Sequence, residues 1–256
     1  MLRFFRIIRK KLVEEQRTRQ YIIYAIGEIL LVVFGILIAL QINNWNEERK
    51  LLKDEQYLLV ELELEFNTNL SLVQRDYNGN RVTSDAVIHI MSLFVEPEKA
   101  DPNIIDSLIV TVFNNTSFDP KTGVVDEIIS TGRLNVLSDD SLRYLISQWP
   151  SVLKNQQEDI NIRATHFEQF VLPEIFRNYP IKNSNSFVDF SFWTDSYQRD
   201  QLSKSTFEYS SENFFTSTME GVLYVHSLNQ DFILMNDQET EKYIESILKR
   251  IKMNQN

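Results

Sequence analysis

The sequence predicts an all-α fold: an N-terminal transmembrane helix that continues into a helical stalk and hairpin, then a periplasmic helical bundle. Three observations carry this. Tyr21–Leu40 reads YIIYAIGEILLVVFGILIAL, twenty residues with Glu28 as the one charged side chain. At ~1.5 Å per helical residue it spans ~30 Å, the thickness of a bilayer core. The other residues show long 3.6-residue periodicities and few alternating runs, and the whole chain holds only six glycines and six prolines.

The flanks give the anchor a direction. Residues 1–20 carry seven basic residues, among them Arg3, Arg6, Arg9, Lys10 and Lys11, and two acids, a net +5. Residues 41–60 hold only Arg49, Lys50 and Lys53. Basic flanks stay in the cytoplasm, so the expected domains are 1–20 as a basic amphipathic cytoplasmic segment, 21–42 as the membrane helix and 43–256 as a periplasmic helical domain. Leu2, Phe4, Phe5, Ile7, Ile8, Leu12 and Val13 recur among the basic residues. They suit a helix on an anionic leaflet as well as an ordinary basic flank. A cleaved signal peptide is the competing reading. It is disfavoured because the apolar core is long and no small-x-small site follows Ala39. Trp45 suits an interfacial aromatic on the outer side.

The remaining elements follow in order. Leu52, Leu59, Leu62, Phe66, Val73 and Tyr77 form a helical stripe, with Glu55, Glu61, Glu63 and Glu65 assigned to the other faces. Gly79-Asn80 predicts a turn, with a return helix from Arg81 to Val95 and breaks at Pro97 and Pro102. A helix is expected over Asn103–Phe113, then the loop NNTSFDP, then a helix over Lys121–Thr131 closed by Gly132 in a left-handed cap. Ser138 or Asp139 caps Asp140–Trp149. Pro150 either kinks that helix or opens the next. Ser151–Arg177 is an amphipathic stretch with Ile160, Phe167, Phe170, Val171 and Ile175 as core candidates, bent near Pro173. Residues 180–210 are irregular and aromatic, with Phe187, Phe190, Phe192, Trp193 and Tyr197 either packing on the helices or facing a partner. Two helices close the chain, Glu212–Asn229 and Gln238–Lys252.

Charge and motifs exclude several functions. The chain carries −10 overall; after the +5 of residues 1–20 and the −1 of Glu28, residues 41–256 carry −14. Phosphate binding needs basic patches, so no nucleic-acid partner is expected. There is no cysteine, hence no disulfide and no thiolate metal site. His89, His166 and His226 lack metal-ligand spacing, and no GxSxG, P-loop or GxGxxG occurs. No catalytic residue, cofactor or metal is expected. Carboxylate pairs such as Asp139/Asp140 adjoin helix starts, where the dipole favours acids.

Within the anchor, a carboxylate in hydrocarbon is costly and usually meets a partner, water or a pathway. Glu28 with Gly27, Gly35 and Ala39 therefore forms a candidate contact with another helix, because small residues admit close approach. The partner is a second copy or another inner-membrane protein; the alternative is a protonated or snorkelling Glu28 on a monomer. Ser130-Thr131-Gly132-Arg133 is either an anion-binding corner or a plain helical corner.

The opening FFRIIRKKL followed by YIIYAIGEILLVVFGILIALQINNWNEE resembles the head of an uncharacterised bacterial single-pass envelope family, a domain of unknown function. FDPKTGVVDEIISTGRLNVLSDDSLRYLISQW at Phe118–Trp149 resembles its helix–Ser-Thr-Gly–helix segment. The resemblance implies a signal-anchored inner-membrane protein with a helical outside domain, and brings no activity. The function expected is an interaction or scaffold component of the cell envelope bound to membrane lipid. The alternative is a ligand-sensing ectodomain that signals through a membrane partner.

Overall fold

The computed structural model describes residues 18–188 and 202–255. Those residues are largely helical, and among them there is no strand. In order they form α1 (Thr18–Ser92), short 3-10 turns at Leu93–Val95 and Pro97–Lys99, α2 (Pro102–Phe113), α3 (Gly123–Ser130), a 3-10 turn at Arg133–Val136 and α4 (Asp140–His166). A π-turn (Phe167–Val171), α5 (Leu172–Asn178), a 3-10 segment (Ile181–Phe187), α6 (Ser211–Phe214) and α7 (Ser217–Gln255) complete them. The chain divides into two compact units, Met1–Tyr57 and Leu58–Asn256.

In the first unit, α1 carries the apolar run. It is long and apolar enough to cross a membrane, and its 18-residue apolar window has no buried residue. Helical pairing goes on beyond the run, where Asn43 Nδ2 donates to Glu47 Oε1 at 3.1 Å.

The second unit is built on three long helices. Residues of α1 and α4 pair in the same direction along the chain, and α7 runs antiparallel to both. Tyr243 meets Leu145, Asp237 meets Gln156, and Gln230 meets Arg163. Against α1, Gln255, Glu241 and Gln238 meet Glu63, Gln74 and Tyr77. Two apolar clusters fill the interior. The first joins Leu62 and Phe66 of α1, Val125 and Ile128 of α3, Ile146 and Trp149 of α4, and Ile247 and Ile251 of α7. Trp149 stands edge-on to Phe66 at 5.2 Å. The second joins Val87 and Ile90 with Ile105 and Ile109 of α2, Val171, Ile175, Phe214 and Leu223.

Caps explain several boundaries. Asp101 accepts the Asn103 N–H at 2.9 Å ahead of Pro102, and Asp139 accepts those of Ser141 and Leu142 at 2.7 and 3.2 Å. Gly132 takes φ 70°, the expected left-handed conformation. The first turn of α3 is capped from far away. Glu65 of α1 accepts the N–H groups of Val124 and Val125 at 2.7 and 3.3 Å. Glu65, assigned to a solvent-facing side, is thus buried, and Glu55 is buried as well. Desolvation raises the Glu65 pKa against the pull of those two N–H groups.

Three expectations are corrected, and one of the two readings of Pro150 is excluded. The hairpin at Gly79-Asn80 does not form, because α1 runs unbroken to Ser92. Gly79 is there for close approach, since a Cβ would lie 2.8 Å from Thr116 Oγ1. The two closing helices are one, α7, with Gln230, Ile233 and Asp237 buried where a linker was expected. Pro150 does not open a new helix; α4 continues through it. Phe170 is exposed while Phe167, Val171 and Ile175 are buried. The π-turn inserts an extra residue and moves Phe170 off the inner face. Phe190, Phe192, Trp193 and Tyr197 lie outside the described residues.

Gly79→Ala should destabilise the fold by about 1–2 kcal/mol. Overpacking against Thr116, held by bonds to Asp76 and Asn80, outweighs the ~1 kcal/mol helix gain of alanine. Gly221, with open space around it, should instead gain ~0.5–1 kcal/mol as alanine. Urea unfolding of both variants, and recovery of the first by Thr116→Ala, checks the assignment.

Candidate functional site

Between the two apolar clusters the three long helices turn polar inward. Asp76, Asn80 and Thr83 of α1, Gln156 and Arg163 of α4, and His226, Gln230 and Asp237 of α7 are all buried. Arg163 is the hub. Its Nη1 donates to Asn80 Oδ1 at 2.7 Å and to Gln230 Oε1 at 3.2 Å, and its Nη2 to the Thr116 carbonyl at 2.7 Å. Asp237 accepts from Asn80 Nδ2 at 3.0 Å and Gln156 Nε2 at 2.8 Å. Gln230 Nε2 reaches Asn115 Oδ1 at 3.2 Å. The loop after α2 is thereby tied to all three helices.

The electrostatics follow from burial. Desolvation lowers the Arg163 pKa, opposed by the charges of Asp237 and Asp76. Desolvation pushes Asp237 up to about 6, with the Asn80 and Gln156 hydrogen bonds pulling the other way. Asp76 is also raised by burial. His226 is lowered to about 4, first by burial, then by the charges of His166 and Arg163. Its ring stacks 6.1 Å from that of His166, whose Nε2–H donates to the Val222 carbonyl at 3.0 Å. The two histidines, distant in sequence, are thus neighbours. Among the described residues no group of three His, Cys, Asp or Glu side chains is placed to hold a metal ion. What this layer does chemically is oppose a buried cation with two carboxylates and link three helices by hydrogen bonds.

A buried carboxylate outside this layer, Asp106 of α2, accepts from Tyr179 Oη at 2.7 Å and Ser184 Oγ at 2.9 Å. Burial and this bond raise the Tyr179 pKa, so the phenol keeps its proton. It fastens the 3-10 segment to the body. Arg133 pairs with Glu127 at 2.9 Å, which turns it back onto its own helical corner.

In the apolar run of α1, Glu28 is partly shielded, Gly27 and Gly35 have open space around them, and Ala39 is exposed. At ~100° per residue, Glu28, Gly35 and Ala39 share a face within about 40°, whereas Gly27 is turned about 100° from Glu28. Trp45 is exposed. Arg3, Arg6, Arg9, Lys10 and Lys11 lie outside the described residues. The polar layer escaped sequence reasoning. Its usable signal was a run of polar residues at helical spacing, such as Asp76, Asn80 and Thr83, between apolar stripes.

Among the described residues, fold and site together define a class, a helical protein with one helix long and apolar enough to cross a membrane. Residues 28–150 match a family of unknown function, DUF6090, over just under half of the chain. No curated protein and no solved structure matches the chain.

Arg163→Ala should cost about 3–5 kcal/mol, since it strands two buried carboxylates and three acceptors; denaturant unfolding measures it. The pH dependence separates Asp237 from His226. Asp237 binds a proton more tightly folded than unfolded, so its share of stability falls as pH rises from about 4 to about 6. His226 binds one less tightly, so its share rises from about 4 to 6.5. At ~1.4 kcal/mol per pKa unit each share is roughly 3 kcal/mol, and they oppose. Asp237→Asn should therefore unmask a stability that climbs with pH between 4 and 6.5. Identical slopes in variant and parent would contradict it.

Proposed function

We propose that the chain is a signal-anchored bacterial inner-membrane protein whose periplasmic helical domain serves as an interaction or scaffold component of the cell envelope. The observation that carries this is the division of apolar surface. Leu58–Asn256 encloses its own core, while no residue in the apolar window of α1 is buried. Such a surface calls for hydrocarbon or another helix. The +5 of residues 1–20 sets the N-terminus in the cytoplasm. The shared face of Glu28, Gly35 and Ala39 receives a partner helix, a second copy or another membrane protein. Sensing is the weaker reading, because the larger concavities, such as the ~630 Å³ groove beside Tyr144 and Lys249, are open. The role assigned is binding rather than catalysis.

Two measurements test this. The cysteine-free chain permits single labels at Gln16→Cys and Ser246→Cys. In intact cells of a bacterial host with a permeabilised outer membrane, an impermeant maleimide should label only the second, and carbonate should leave the protein in the membrane fraction. Labelling of Gln16→Cys, or release by carbonate, overturns the reading. Glu28→Leu and Gly35→Leu should each lower self-association of the anchor in membranes several-fold if the partner is a second copy. Unchanged association in both removes that contact.

A further inference from the structure

Helix α7 has a second apolar face that is left exposed among the described residues. Gly221, Val225, Leu228, Phe232 and Met235 follow one another at steps of four, three, four and three, the spacing of a coiled-coil seam. At ~100° per residue this row lies opposite His226, Gln230, Ile233 and Asp237, which face inward. Val225 is 42% exposed, Leu228 40%, Phe232 55% and Met235 48%, with Tyr224 beside them at 53%. A helix that needs one apolar face to fold carries two.

We infer that this seam is a self-association surface, on which α7 of one copy packs against α7 of a second. The heptad spacing selects a helix as occupant, because a strand or an irregular segment does not match a seam that repeats every 3.5 residues. Charge argues for a second copy. Residues 41–256 carry −14, so two copies repel over most of their surface. Between Gly221 and Gln238 the charged side chains are Asp231 and Asp237, and Asp237 is buried. One exposed charge remains on the stretch where two copies must approach. Area agrees. Tyr224, Val225, Leu228, Phe232 and Met235, about half exposed, offer on the order of 450 Å² per copy, or about 900 Å² for the pair. Ile162 of α4, 57% exposed and on the helix face of Asp159 and His166, which bond Asn236 and Val222 of α7, brings the total to the ~1,000 Å² of a specific contact. A contact of this size is weak in dilute solution and is strengthened when both copies are confined to one membrane. That last step rests on the anchored reading above.

The test uses the full-length protein in membranes. With no native cysteine, Leu228→Cys and Met235→Cys report on the seam, and Tyr144→Cys, exposed on α4, is the control. Mild oxidation should convert both seam variants to a species of twice the monomer mass, at least tenfold more than the control. Phe232→Glu should reduce that yield at least tenfold; its exposure leaves the fold intact, which circular dichroism verifies. No doubled species at either seam position, equal yield at Tyr144→Cys, or a product of any other mass overturns the inference. So does loss of the seam product on introducing Glu28→Leu with Gly35→Leu, which would assign the contact to the anchor. Release from the membrane by carbonate overturns the anchored reading alone, while the seam product still reports on α7.

Discussion

A guanidinium at Arg163 sits almost wholly out of water, where an unmatched cation is costly. It can exist there because α1 brings Asn80, α7 brings Gln230, and the loop after α2 brings the Thr116 carbonyl. Asp76 and Asp237 supply the opposing charge. Each of those groups is useful only at one longitudinal position. A slip of α7 by one turn would replace Gln230 by His226 or Leu234 and leave the cation unmatched. The apolar clusters above and below tolerate such sliding better, since one Ile or Leu packs much like another. The polar layer sets the register of three helices that the apolar clusters hold together.

The same logic recurs where short elements join the body. Asp106 gathers Tyr179 and Ser184. Asn69 takes the N–H of Lys121 and donates to its carbonyl, both at 2.7 Å. Glu65 closes the start of α3 across 59 residues of sequence. Each is a side chain on α1 or α2 that satisfies backbone or side-chain groups of a neighbouring short segment. These helices therefore serve as frames to which short segments are pinned by single polar residues.

That division explains which parts of the fold were legible in the sequence. Helix boundaries with local causes could be read: Asp101 before Pro102, Asp139 before α4, Gly132 after α3. The apolar stripe Leu59–Leu62–Phe66–Val73 could be read too, since its partners need only be apolar. The two misplaced breaks, at Gly79-Asn80 and between Asn229 and Gln238, both fall on the buried polar layer. Asn, Gly, Gln and Asp signal turns when solvated. Inside a three-helix body they signal charge matching and close approach instead, and only the other two helices reveal which. Glu65 went astray for the same reason, because its partners lie in another element. The long apolar helix at the start of the chain was readable from composition alone, whereas the Arg163 layer required residues 76, 163 and 237 to be brought together.

The outer face of α7 is the other half of this argument. A buried polar layer spends the inward side of α7 between His226 and Thr240 on specificity, and Ile233 is the one apolar side chain fully buried in that stretch. Were α7 stabilised by burial alone, selection for solubility would place charges on its opposite side. Beyond Gln238 it does: Glu239, Lys242, Ser246 and Lys249 continue the outer face. Between Gly221 and Met235 the face is apolar at heptad spacing, over the stretch where the interior is most polar. An apolar contact from outside would clamp α7 along the stretch where its inward contacts are hydrogen bonds rather than packed aliphatic side chains. Association and register would then reinforce each other, because a helix held against a second copy is less free to slide past Arg163.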